Sequence, residues 1–103
     1  MSAPRNAARG EAVLQISGRP YRLCVTLGAL AELEAAFDVL ALTELGDRLK
    51  HMSAADLVTV VSILTCGGGE ALSVAEVAAA RIEPAEAARA VAQAFQQAFG
   101  DDA

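Results

Sequence analysis

Apolar residues along this chain change their spacing near residue 28. Before it, Leu14 and Ile16 alternate with Gln15 and Ser17, and beyond Ser17-Gly18-Arg19-Pro20 the alternation resumes at Tyr21, Leu23, Val25 and Leu27. Two period-2 runs around a Gly/Pro-containing turn predict a β-hairpin. Its other face carries Arg22, Cys24 and Thr26 and should be wet. A lone hairpin is marginal in water, so its apolar face must cover helices.

From Gly28 onward the period is helical. Leu30, Leu33 and Phe37 recur at three and four, with Thr26 as N-cap. Leu42, Leu45, Leu49 and Met52 predict a second helix that contains Gly46. The third opens at Ser53, with Asp56 three residues on in the manner of a capping box, runs through Leu57, Val60, Val61 and Leu64, and stops at Gly67-Gly68-Gly69. The signature recurs at Ser73 with Glu76, predicting a short helix that includes Val77, Ala80 and Ile82. Pro84 suits the first turn of a last helix, where a missing N–H costs nothing. Val91, Phe95 and Phe99 form one stripe of it, and Gly100 ends it. The expected fold class is therefore α+β: an N-terminal hairpin packed on a mainly helical domain of about five helices. Residues 1–10 and 101–103 are expected to be disordered tails around a single domain at 11–100.

Composition agrees with that and removes several functions. Of 103 residues, 54% are hydrophobic and 24 are Ala, the residue that loses least on entering a helix. Two cysteines are too few for a disulfide scaffold, and one histidine is too few for most zinc sites. Met1 to Gly10 has no signal-peptide pattern, and the apolar run Leu57 to Cys66 falls far short of the roughly 20 residues a membrane span needs. The expectation is a cytoplasmic protein with reduced thiols and no membrane partner. Residues 1–26 hold four Arg against one Glu, whereas 27–103 hold four basic against twelve acidic side chains. An acidic helical body repels phosphate, which disfavours nucleic acid.

Each candidate for chemistry meets a simpler account. Cys66 as a nucleophile would need a base, and the single imidazole, His51, precedes the helix that ends in Cys66, about 20 Å away along it. A small buried hydrophobe near a helix C-terminus explains Cys66 better, and Cys24 reads as a strand residue. Gly67-Gly68-Gly69 is followed by Glu70, the wrong charge for a phosphate loop, so termination by a left-handed glycine is the better account. Ser53–Ile82 has helix–turn–helix length, yet its second helix offers a DNA backbone only Arg81 and also carries Glu76. Glu32, Glu34 and Asp38 read as a solvated helix face. No enzyme, cofactor site or metal site is expected, nor a small-molecule substrate. An Ala-rich apolar chain of this size should instead leave apolar surface for a protein partner or for self-association. Val91, Phe95 and Phe99 are the candidate partner-binding residues.

Gly18-Arg19-Pro20-Tyr21-Arg22-Leu23, followed by Thr26-Leu27-Gly28-Ala29-Leu30-Ala31-Glu32-Leu33-Glu34, is similar to small proteins of gene transfer agents and related phages. In those, a helix ending in Gly-rich residues and a Ser-x-x-Glu-Val start follow. Here Leu57 to Gly69 and Ser73-Val74-Ala75-Glu76-Val77 correspond, so the resemblance covers about residues 10–82. It implies a tail assembly chaperone that binds the tape-measure protein, or another tail protein, of a gene transfer agent or prophage-like particle. The label "tail tube protein" is also attached to the family, which makes a structural tube component retained in the particle the first alternative. Tubes are built mostly from extended β-sheet, and one hairpin supplies little of it. A small DNA-binding regulator is the second alternative. The resemblance implies no catalytic residues.

Overall fold

The computed structural model describes residues 11–99. The two expected tails, and Gly100 as the end of the last helix, lie outside these residues. Within these residues the chain forms an antiparallel hairpin followed by five helices, the α+β arrangement that the spacing predicts. Strand β1 (Glu11–Ile16) pairs with β2 (Arg19–Cys24), setting Ala12 opposite Leu23 and Leu14 opposite Tyr21. The turn between them has positive φ at both central residues, 53° at Ser17 and 83° at Gly18, the requirement of a type I′ loop that matches strand twist. Ser17 is held there from outside the hairpin. Its N–H donates to the Arg81 carbonyl at 2.9 Å, and its hydroxyl accepts from the Arg81 N–H at 3.1 Å. The period-2 pattern buries Ala12, Leu14, Ile16 and Leu23 and turns Val13 outward.

The alternation does not persist to Leu27. Thr26 accepts a hydrogen bond from the Ala29 N–H at 3.0 Å and so caps α1 (Leu27–Phe37), which makes Leu27 a first-turn helical residue, 81% exposed. Helix α2 (Leu42–Leu49) begins without a side-chain cap, although Glu44 accepts from the Leu40 N–H at 2.8 Å. Met52 falls in the connection beyond α2. Ser53 and Ser73 each form a complete capping box, with Asp56 and Glu76, at the starts of α3 (Ala54–Gly67) and α4 (Val74–Ala79). Helix α4 is shorter than its apolar spacing suggests. Ala80 is already extended, and Ile82 packs on the core from the connection to α5 (Pro84–Phe99).

Helix α3 is central: it lies on β2, α1, α4 and α5. Val60, Val61 and Leu64 share one buried cluster with Leu23, Leu33, Leu45 and Val91. The glycine run does more than end it. A Cβ on Gly67 would overlap the Cys24 carbonyl oxygen, and one on Gly68 would overlap that of Arg22, so these two let α3 reach the backbone of β2. Only Gly69, at φ 91°, needs the left-handed conformation expected of a helix stop. Nearby, the buried Thr65 hydroxyl donates to the Ser62 carbonyl at 2.7 Å and accepts from the Leu72 N–H at 3.2 Å. Ser62 in turn donates to the Leu72 carbonyl at 2.7 Å, so both backbone polar groups of Leu72 are tied to α3.

Candidate functional site

Pro84 starts α5 at the position where its missing N–H is free of cost, and the helix then places its side chains by their spacing. Ala87, Ala90 and Ala94 are buried, where α5 lies on β1 and α3. Val91, Phe95 and Phe99, at intervals of four, form a graded series: Val91 is fully buried, Phe95 half-buried and Phe99 58% exposed. The two phenyl rings stack, 6.1 Å apart and 13° from parallel. The stripe therefore runs from the core to the surface instead of lying wholly in either.

These three residues line a groove of about 550 Å³. One wall is α5, from Pro84 through Ala88 and Ala92 to Phe99; the other is the end of α2, with Gly46 and Leu49, continued by Met52. Ala54 and Leu57, in the first turn of α3, form part of the floor. The groove exists because α2 lies chiefly on α1 while α5 lies on β1 and α3, and because Gly46, Ala54, Ala88 and Ala92 are too small to bridge the gap. Among the described residues Lys50 is the single charged side chain on its lining. A smaller cleft of about 160 Å³, between α3, α4 and α5, shares Ala54, Leu57 and Pro84 with it.

The α2 wall is pinned by charge. Arg48 donates to both carboxylate oxygens of Asp56, at 2.6 and 3.1 Å, and its guanidinium lies 4.8 Å from the centre of the Phe37 ring. One side chain thus ties α2 to the start of α3 and the end of α1. Asp56 also accepts from the Ser53 N–H at 3.0 Å. The Arg48 hydrogen bonds, followed by that from Ser53, hold its carboxyl below the usual range, and the same pairing raises Arg48. Neither residue reads as a site in the sequence, since an exposed Arg eight positions before an Asp is common.

The other chemistry candidates stand apart from the groove and from one another. Cys66 is exposed, which corrects its reading as a buried hydrophobe: Thr65 takes the inward position, and Cys66 projects beyond it. His51, also exposed, lies before the opposite end of α3. Cys24 is half-buried, and burial pushes its thiol up, as does the nearby Glu11. The second helix of the supposed DNA reader has only six residues, and Arg81 lies off it, engaged through its backbone with Ser17. Of the groove residues, Val91, Phe95 and Phe99 were legible as a stripe. Leu49, Met52 and Leu57 read only as core positions, and Ala88 and Ala92 carried no signal beyond helix propensity.

A family model described as "Phage tail tube protein, GTA-gp10" matches residues 9–101, nearly the whole chain. No curated protein and no solved structure matches. No helix among the described residues is long and apolar enough to cross a membrane.

Proposed function

The chain belongs to the phage tail tube protein, GTA-gp10, family of gene transfer agent tail proteins, and from that premise we propose that it is a non-enzymatic tail assembly chaperone. In this reading it works in the cytoplasm and holds an apolar segment of the tape-measure protein until the tail is built around it. The observation that carries the proposal is the groove between α2 and α5. Its α5 wall runs from Pro84 to Phe99, about 22 Å at 1.5 Å per residue, which suits roughly four turns of a partner helix. Apolar walls notched by Gly46, Ala88 and Ala92 would let that helix approach closely, and the helix would bury Phe95 and Phe99 as helix-in-groove recognition requires. Lys50 favours a carboxylate on the partner beside the apolar contact.

Co-expression with the tape-measure protein of the same gene cluster, followed by size exclusion, tests this reading. Co-elution is expected, with the tape-measure protein insoluble when made alone. A tape-measure protein equally soluble without this chain would overturn the proposal. The family description supports a second reading, a structural tube component that stays in the finished particle. Purified particles containing this chain would favour it.

A further inference from the structure

The two edges of the hairpin are treated differently. A two-residue loop makes Ile16 and Arg19 the first hydrogen-bonded pair of the ladder. By alternation the pairs Leu14–Tyr21 and Ala12–Leu23 follow, so the peptide groups of residues 20, 22 and 24 point off one edge and those of Glu11, Val13 and Gln15 off the other. The β2 edge is closed. Pro20 has no N–H to offer, and the Arg22 and Cys24 carbonyls meet the backbone of α3 at Gly68 and Gly67. Helix α5 packs on β1 as α3 packs on β2, but on the β1 edge no backbone close approach or proline engages the outward peptide groups among the described residues. No loop or cap hydrogen bond engages Glu11, Val13 or Gln15, there is no proline, and Val13 is 62% exposed. Folded proteins usually block an open edge unless another strand uses it.

We propose that the β1 edge pairs antiparallel with β1 of a second copy of this chain, centred on Val13. The strand is self-complementary in that register. Val13 lies opposite Val13 of the second copy, and Glu11 opposite Gln15, so an apolar pair is flanked by two carboxylate–amide pairs and no like charges meet. Centring on Glu11 would oppose two carboxylates, and centring on Gln15 would run Val13 onto the turn residue Ser17. The sheet that results would have four strands, β2-β1-β1-β2, where the two-stranded sheet leans entirely on its helices. This inference is independent of the groove and of its partner.

The test is the mass of the full chain by sedimentation equilibrium over a concentration series, with circular dichroism as the check on folding. Val13→Pro removes an N–H that points away from β2, so it should leave the hairpin ladder intact and abolish pairing. Val13→Lys would set two ammonium groups opposite each other and leaves the backbone untouched; it decides the matter if the proline variant does not fold. The expected result is twice the chain mass for the wild type and the single-chain mass for either folded variant. A wild type at single-chain mass throughout, or a dimer that survives both substitutions, would overturn the proposal. So would a dimer lost through Phe99→Asp but kept in both Val13 variants, since that places the contact in the groove.

Discussion

At its C-terminal end α3 presses on β2 until Gly67 and Gly68 meet the Cys24 and Arg22 carbonyls, whereas at its N-terminal end Ala54 and Leu57 lie in the floor of an open groove. The closed end is also the one with the buried polar chain, in which Ser62 and Thr65 tie down Leu72. Small residues occur at both ends and do opposite things. At the closed end the missing Cβ is filled by another segment's backbone; at the open end the space beside Gly46 and the alanines is left empty. A small side chain therefore marks packing only when its neighbour is already present in the same chain.

The sharpest way to break the comparison is the same substitution at each end. Gly67→Ala puts a methyl group on the Cys24 carbonyl, and rigid backbone on both sides cannot yield cheaply, so a loss of about 3 kcal/mol is expected in urea denaturation. Gly46→Ala meets nothing within 4 Å and lies inside α2, so it should stabilise by about 0.8 kcal/mol through helix propensity alone. Equal effects at the two glycines would mean that α3 does not reach β2 as described.

Helix starts sharpen the contrast at smaller magnitude. Ser53→Ala and Ser73→Ala each remove a cap and should each cost about 1 kcal/mol. They differ in what remains: Asp56 keeps its bidentate bond to Arg48 after its serine is lost, and so the α2 wall should stay in place. That pairing also sets an acid dependence. Asp56 is held below its ordinary range when folded, so its contribution is fully present above the unfolded value and fades as pH falls through the lowered one. Stability of Asp56→Asn should accordingly fall less steeply with acid than that of the wild type. Identical slopes would remove Asp56 from the account.

Local signals were the legible part of this fold. Thr26, Ser53, Ser73 and Pro84 each act within one helical turn of themselves, and each stands where its chemistry predicts. Misreadings arose where the deciding neighbour is distant in sequence. Leu27 continues the strand alternation, but the cap beside it turns the backbone into a helix. Gly67 and Gly68 look like a stop, and their reason lies more than forty residues earlier, in β2. Ile82 keeps helical spacing, yet Ala80 has already left the helix and Arg81 is drawn to Ser17. The groove was least legible of all, because it is the gap left when α2 settles on α1 and α5 on β1.

The smallest expected effect on stability comes from Phe99→Asp, and it separates the two ends most usefully. Phe99 is 58% exposed and stacks on Phe95 at the rim, so its replacement should change the denaturation midpoint by less than the equivalent of about 0.5 kcal/mol. Binding should respond quite differently. A carboxylate at the mouth of an apolar groove would be desolvated by an incoming helix, and co-elution with the tape-measure protein should be lost while the free chain stays folded. Phe95→Asp, half-buried, should weaken both. If Phe99→Asp instead unfolds the chain, the stripe belongs to the core along its whole length and the open end of α3 is closed after all. If it alters neither stability nor co-elution, any tape-measure contact must lie elsewhere on the molecule.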